Sequence, residues 1–217
     1  MLRQFEKINT IIWDWNGTLL NDTDICISTI NELLAERGLS EISRENYLEL
    51  FGFPVIDYYK KIGFKFEKES FEIPANQYIQ KYHSKLSQCE LHNQVLEVLK
   101  YFKESGFKQL VLSASEDTKL KEAITHFKIV DFFDEISGLD NHFAFSKTTL
   151  GINMLNKLKI SPENTCLIGD TDHDSEVADA IGCKCILIAD GHQSKSRLEE
   201  TGSFVIDNLK DLFNVLR

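Results

Sequence analysis

The chain has 217 residues, enough for one large domain or for a core with a smaller insert, and it can bury a core without disulfides or metals. Hydrophobic residues make up 42% and charged residues 27%, which excludes a globally disordered or low-complexity protein. The formal net charge of −10 disfavours nucleic acid and anionic membranes as partners, so neither is expected.

Predicted strands and helices alternate along the chain. An apolar, β-branched run predicts a strand at about 8–13, and residues 21–23 offer N-caps for a helix that ends near Arg37. Residues 43–88 are typical of further helices, and no convincing strand is expected across 20–88. Later strands, separated by helical segments, are predicted at 109–112, 135–137, 165–168, 185–189 and 204–206.

This alternation predicts an α/β fold. Because the strands are short and almost continuously apolar, we expect a doubly wound parallel sheet, a Rossmann-like core, with helices on both faces. The helical stretch at 20–88 then forms an inserted α-helical domain, and residues 1–19 and 89–217 form the core.

The chain is expected to be cytoplasmic. No segment approaches the roughly 20 apolar residues that span a bilayer, and the charged N-terminal residues are unlike a secretory signal. The five cysteines form no regular framework, which suits a reducing compartment.

Polar clusters fall at the ends of three predicted strands. Asp14–Thr18 follows the first strand, Ser113 ends the strand at 109–112, and Gly169–Asp174 follows the strand at 165–168. Lys147 lies between the last two clusters, near a helix start. Ligands of parallel α/β sheets bind beyond the carboxyl ends of the strands, so one crevice is expected to gather these residues.

The residue types in this crevice suit phosphoryl chemistry. Asp14 is a candidate nucleophile toward phosphorus, which would give an aspartyl-phosphate. Ser113 and the amides around Gly17 offer donors for phosphoryl oxygens, and Lys147 offers a positive charge that balances carboxylate and phosphate. Hard oxygen ligands for Mg²⁺ are offered by Asp14, Asp170 and Asp174.

In order, spacing and strand context, these motifs resemble the four motifs of the haloacid dehalogenase superfamily of phosphohydrolases. The resemblance covers the chain from about residue 8 to 191 and implies a Mg²⁺-dependent phosphohydrolase acting on a small phosphorylated metabolite. The helical insert resembles the small cap of phosphoglycolate-phosphatase-like members, in which the cap closes over the site and sets substrate choice. Within this cap, Phe51–Phe53 at a helix break is the best candidate for a loop that faces the site.

The resemblance also implies roles for individual residues. The catalytic residues would be Asp14, Asn16 and Lys147. The phosphate-binding residues would be Gly17, Thr18, Ser113 and Lys147. The metal ligands would be Asp14, the backbone carbonyl of Asn16, Asp170 and Asp174.

Asn16 departs from the family pattern. The family has an Asp there that serves as general acid and then general base, and an amide cannot replace it at neutral pH. Loss of such help costs about 10²–10⁴-fold in rate, so Asn16→Asp is expected to raise turnover of alkyl phosphates by roughly 10²-fold or more. A second, smaller departure is Thr148, where the family often has Pro after its Lys.

Asn16 leaves two other interpretations open. The chain would be a catalytically weakened phosphate-binding or regulatory protein if it bound ligand tightly without turnover. It would be a phosphonatase- or dehalogenase-like hydrolase if its leaving group differed. Asp170 and Asp174 favour Mg²⁺ and phosphate chemistry over dehalogenation.

Two other assignments are disfavoured. A receiver-type signalling domain carries its phosphorylated Asp after a later strand and has no large helical insert. An EF-hand loop that begins at Asp170 would need Gly and Glu where Ser175 and Ile181 stand. The sequence leaves the substrate's identity and the oligomeric state undetermined.

Overall fold

The computed structural model describes residues 2–139 and 146–216. The strands are β1 (Thr10–Trp13), β2 (Leu20–Asn21), β3 (Glu90–Leu91), β4 (Lys108–Glu116), β5 (Glu135–Leu139), β6 (Thr165–Gly169), β7 (Lys184–Ile188) and β8 (Phe204–Ile206). The α-helices are α1 (Thr23–Glu36), α2 (Arg44–Leu50), α3 (Val55–Lys61), α4 (Glu72–Lys85), α5 (Val95–Glu104), α6 (Asp117–His126), α7 (Lys147–Leu158), α8 (Asp172–Ile181), α9 (Lys195–Glu199) and α10 (Leu212–Val215).

The central sheet of the described residues has the order β5-β4-β1-β6-β7-β8, and every neighbouring pair is parallel. Strand β1 lies between β4 and β6, with Trp13 opposite Val111 on one side and Ile168 on the other. The chain moves outward from β1 in both directions, so the carboxyl ends of β1, β4 and β6 meet where the strand order switches.

Helices cover both faces of the sheet, as the near-continuous burial of its central strands requires. On one face, α5 packs Val98, Leu99 and Phe102 into a cluster that includes Ile11 and Trp13. On the other face, α7 and α8 pack against Ile12, Leu110 and Leu167. The predicted α/β fold with a doubly wound parallel sheet is confirmed.

Strands β1 and β4, which carry predicted site residues at or near their ends, have different bounds from the sequence prediction. β1 begins at Thr10 rather than near residue 8, because the pairing with β4 and β6 starts there. β4 continues past Ser113 to Glu116, and its register against β5 shifts between Leu112 and Glu116. Ser113 therefore lies in the irregular part of the strand rather than at its end.

Helices α1 to α4 carry an apolar cluster of their own. Ile30, Leu33 and Leu34 of α1 pack with tyrosines of α2 and α3 in a group separate from the two sheet clusters. The short antiparallel pair β2–β3 stands where the chain enters and leaves this helical segment, and the hydrophobic pattern gives no sign of it. Across the described residues, no helix is both long and apolar enough to span a membrane.

Candidate active site

Asp14 stands at the carboxyl end of β1. Its backbone N–H donates to the Ile168 carbonyl at 2.8 Å, so the residue that follows β1 is bonded directly to β6. Its carboxylate accepts a hydrogen bond from the Lys147 ammonium. Burial raises the pKa of Asp14 to about 7, although the charge of Lys147 acts in the opposite direction.

Lys147 begins α7, whose N-cap Ser146 accepts from the Thr149 N–H at 3.2 Å. The ammonium contacts Asp14 and also donates to Asp174 Oδ1 at 2.6 Å. Burial alone would lower the pKa of Lys147, but the two carboxylates raise it well above its usual value. Lys147 therefore stays charged and joins the loop of residues 14–18 to α8.

Asp174 is fixed by the first turn of α8. Its Oδ2 accepts from the Thr171 hydroxyl at 2.7 Å and from the Thr171 N–H at 3.1 Å, while Oδ1 faces Lys147. Burial alone would raise the pKa of Asp174, but Lys147 and these donors hold it below its usual value. The carboxylate thus remains ionised although it is only 2% exposed.

Asp170 completes an acidic group at the end of β6. Carboxylate oxygens of Asp14, Asp170 and Asp174 lie within 4.8 Å of one another. Burial raises the pKa of Asp170 to about 6, with a further contribution from the charge of Asp174. The charge of His192 opposes this shift, but the three carboxylates, when ionised, still exceed the two positive charges of Lys147 and His192.

Gly17 lies against this group. Its φ is +73°, and a Cβ at this position would stand 2.2 Å from Asp170 Oδ2. Its N–H donates to Asp22 Oδ1 and to the Leu20 carbonyl, both at 2.9 Å, and the Thr18 hydroxyl donates to Asp170 at 3.0 Å. Since these groups are engaged within the protein, a phosphate-binding role for Gly17 and Thr18 stays a prediction.

Ser115 links the Ser113 side chain to the loop of residues 14–18 by hydrogen bonds. The Ser115 N–H donates to Ser113 Oγ at 3.1 Å, and the Ser115 hydroxyl donates to Asn16 Oδ1 at 2.8 Å. Ser113 is 1% exposed and retains its own hydroxyl hydrogen as a donor. The structure therefore brings the predicted residues of β1, β4, α7 and α8 to one edge of the sheet.

Residues that the sequence analysis did not single out lie beside this set. Asp22 was interpreted only as a helix N-cap, yet its side chain makes no cap hydrogen bond and turns toward Asn16. His192 Nε2 lies 3.1 Å from Asp22 Oδ1, and Tyr47 OH lies 3.0 Å from His192 Nδ1. Tyr82 of α4 donates to Asp22 at 2.6 Å.

Asp22 and His192 form a buried ion pair. Burial alone would raise the pKa of Asp22, but His192 and the hydrogen bonds to the carboxylate lower it to about 2. Burial alone would lower the pKa of His192, but Asp22 raises it to about 9. Cys26 Sγ also approaches Asp22, at 3.6 Å. The carboxylate is thus occupied by protein donors, so we describe this group as a hydrogen-bond centre rather than as a metal site.

The predicted cap loop at Phe51–Phe53 contacts the core beside the acidic group. The Phe51 ring lies 5.3 Å from the His192 ring. Arg197 of α9 donates to the carbonyls of Phe51 and of Glu49, the latter at 3.1 Å, and pairs with Asp172 at 2.6 Å. This loop is therefore bound to core residues that flank the site.

Comparisons with known proteins agree with this geometry. The family model described as haloacid dehalogenase-like hydrolase matches residues 11–188. The chain is 25% identical over 213 residues to a protein named pyrophosphatase PpaX from Bacillus mycoides, covering 97% of each chain. A similar protein of the same name from Bacillus cereus is also 25% identical over 213 residues, again with 97% of each chain covered.

Solved structures show the same fold. A haloacid dehalogenase-like hydrolase from Streptococcus pneumoniae superposes with a TM-score of 0.83 at 19% identity, covering 96% of this chain and 98% of that one. A protein described as a predicted phosphoglycolate phosphatase from Haemophilus somnus superposes with a TM-score of 0.77 at 18% identity, with the same coverage.

Proposed function

The chain belongs to the haloacid dehalogenase-like hydrolase family as a phosphatase-type hydrolase, and from that premise we propose that it is a Mg²⁺-dependent enzyme that cleaves a small phosphorylated metabolite through an aspartyl-phosphate on Asp14. The grouping of the Asp14, Asp170 and Asp174 carboxylates at the switch in strand order, with Lys147 bonded to Asp14 and Asp174, is the observation that carries the proposal.

The donor set fits Mg²⁺. Asp14, Asp170 and Asp174 offer hard oxygen atoms in a buried site, and Mg²⁺ is held by few carboxylates together with water and phosphate. Burial raises the pKa values of Asp14 and Asp170, and the charge of Asp174 adds to both shifts, so a divalent cation would stabilise the ionised carboxylates. When bound, Mg²⁺ would neutralise charge on the phosphoryl group. The backbone carbonyl of Asn16 is proposed as a further ligand.

Different residues of the site carry out different parts of the proposed reaction. A carboxylate oxygen of Asp14 forms a bond to phosphorus as the bond to the leaving oxygen breaks, and the leaving group departs with that electron pair. Lys147 orients Asp14 and, with the Ser113 hydroxyl, holds phosphoryl oxygens. Water then attacks phosphorus as the bond between phosphorus and the Asp14 oxygen breaks; a proton of that water passes to bulk water, phosphate leaves, and the Asp14 carboxylate is restored. In this scheme Gly17 leaves room for the Asp170 carboxylate, and the Thr18 hydroxyl orients it.

We further propose that residues 20–88 act as a cap over a core formed by 1–19 and 89–217. The separate apolar cluster of α1 to α4 and the paired strands β2 and β3 at its two ends support this division. Exchange of 20–88 for the corresponding segment of a relative should change the substrate profile and leave Mg²⁺ binding in place. An unchanged profile would contradict the division of roles.

A screen of alkyl, aryl and acyl phosphates with Mg²⁺ and then with EDTA tests the proposal. We expect phosphate release that needs Mg²⁺, with acyl and aryl phosphates faster than alkyl phosphates because their leaving groups need less protonation. Full activity in EDTA would contradict the metal requirement. Tight phosphate binding without turnover would instead support the second candidate, a weakened phosphate-binding protein, which Asn16 motivates.

A further inference from the structure

The side-chain amide of Asn16 is held in one orientation by three neighbours. Its Nδ2 donates to Asp22 Oδ2 and to Tyr82 OH, both at 2.7 Å. Its Oδ1 accepts from the Ser115 hydroxyl at 2.8 Å. A flipped amide would set Oδ1 against the Asp22 carboxylate, which has only acceptors when ionised, so the carboxylate fixes the orientation.

Asp22 is the centre of this arrangement and is 1% exposed. Besides Asn16, it accepts from the Gly17 N–H at 2.9 Å and from the Tyr82 hydroxyl at 2.6 Å. His192 supplies the compensating positive charge at 3.1 Å. Because an ionised, buried carboxylate can only accept hydrogen bonds, the side chain beside it at position 16 is favoured to be a donor rather than a second acceptor.

We propose that Asp22 is a positioning residue whose carboxylate fixes the Asn16 amide, so that Asn16 and Asp22 form a matched donor and acceptor pair. Through Tyr82, Asp22 also ties the nucleophile loop, residues 14–18, to the cap. This inference rests on the proposed function only in placing Asn16 at the site. An amide suits position 16 because it can donate a hydrogen bond to the charged carboxylate of Asp22.

The pairing changes the outcome expected from Asn16 alone. Asn16→Asp sets two buried carboxylates about 2.7 Å apart in a position built for a donor, which opposes ionisation of both. The single substitution therefore costs stability and does not give the gain in turnover expected from the sequence. Exchange of both residues keeps one charge, one amide and the hydrogen bond between them.

The same contacts connect the site to the cap. Tyr82 belongs to α4 and Tyr47 to α2, and each bonds a member of the Asp22–His192 pair. His192 in turn donates its backbone N–H to Asp170 Oδ2 at 2.6 Å. Asp22 thus stands where cap helices, the nucleophile loop and an acidic residue of β6 meet, without itself belonging to the acidic group.

A mutant cycle tests the pairing. Thermal unfolding in EDTA is measured for Asn16→Asp, Asp22→Asn and the double variant Asn16→Asp/Asp22→Asn, since melting in EDTA does not depend on activity. We expect each single variant to lower Tm by about 5 °C or more and the double variant to recover at least half of the summed loss. Matched controls are Asn153→Asp and Asp179→Asn, both at exposed helix positions, which should leave Tm nearly unchanged.

Kinetics with Mg²⁺ separate positioning from a purely structural effect. Because Asp22 acts through Asn16, Asp22→Asn should lower kcat by about 10-fold with KM changed less than about 2-fold, and the double variant should recover kcat. Tyr82→Phe, which removes one hydroxyl, should lower kcat in the same direction by a smaller factor.

Additive losses of Tm in the double variant would overturn the pairing. So would a failure of the double variant to fold, whereas a double variant that folds when Asn16→Asp does not would support it. A rise in KM with unchanged kcat in Asp22→Asn would overturn the positioning role. Rescue of Tm in a protein whose wild type hydrolyses no phosphate would support the buried pair while rejecting the proposed function.

Discussion

Both the backbone conformation and the close packing at position 17 favour glycine. Its backbone has a φ of +73°, and its α-carbon faces Asp170 so closely that a Cβ would lie 2.2 Å from the carboxylate. Strain in the left-handed region costs roughly 1 kcal/mol for an ordinary residue, but the close approach also requires Asp170 and the neighbouring His192 ring to move.

Gly17→Ala should therefore lower activity by at least about 10-fold and weaken the response to Mg²⁺, because displacement of Asp170 alters the metal ligands. Gly106→Ala is the matched control, since Gly106 has a φ of +82° and a Cβ added there would meet no atom within 4 Å. Steady-state rates over a range of Mg²⁺ concentrations measure the difference. Equal losses in both variants would mean that strain alone, and not contact with Asp170, determines the effect.

At the scale of elements, the contact between α9 and the loop after α2 joins the proposed cap to the proposed core. Arg197 donates to two loop carbonyls and pairs with Asp172 at 2.6 Å at the start of α8. These bonds replace water at backbone groups, so their removal should free the loop without disturbing the sheet.

Arg197→Ala is expected to raise KM by about 5-fold or more with a smaller change in kcat, because a looser loop closes less often over bound substrate. Hydrogen exchange at residues 49–54 should accelerate. Lys195→Ala on the same helix removes an exposed ion pair with Asp207 and serves as the control. Unchanged exchange and unchanged KM in Arg197→Ala would show that the contact does not hold the loop.

Sequence patterns predict residues at strand ends but do not predict contacts between elements that are distant along the chain. Asp14 and Asp170 could be predicted because each follows its own apolar strand, and parallel strands bring such positions together. Asp22 and His192 could not, because the paired residues are 170 positions apart and neither belongs to a local pattern that sequence periodicity detects. The same holds for Arg197, whose role depends on how the cap lies against the core.

At the scale of the whole molecule, buried charge links stability to pH and metal. Asp14 and Asp170 have pKa values of about 7 and about 6 in the fold, above their usual value of 3.8. The folded state therefore binds more protons than the unfolded state between these limits, and the stability contributed by these carboxyls falls as pH rises from about 4 to 7. A cation that binds the ionised carboxylates should reverse this loss.

Mg²⁺ is accordingly expected to raise Tm more at about pH 8 than at about pH 5, by roughly 3 °C or more, since protons compete for its ligands at the lower pH. Asp170→Asn, with one ligand charge fewer, should show a smaller shift at the higher pH. Calorimetry or dye-monitored melting with Mg²⁺ and EDTA measures both. A shift that is independent of pH would contradict binding at these buried carboxylates.

Acid quenching during turnover tests whether Asp14 carries the phosphoryl group covalently. Intact mass and peptide mapping after quenching with an aryl phosphate and Mg²⁺ should show one phosphoryl group on the peptide that contains Asp14, and none in Asp14→Asn. Asn16 cannot assist water as a base, so the adduct should persist long enough to trap. A phosphoryl group on another residue, or steady turnover by Asp14→Asn, would contradict the assignment.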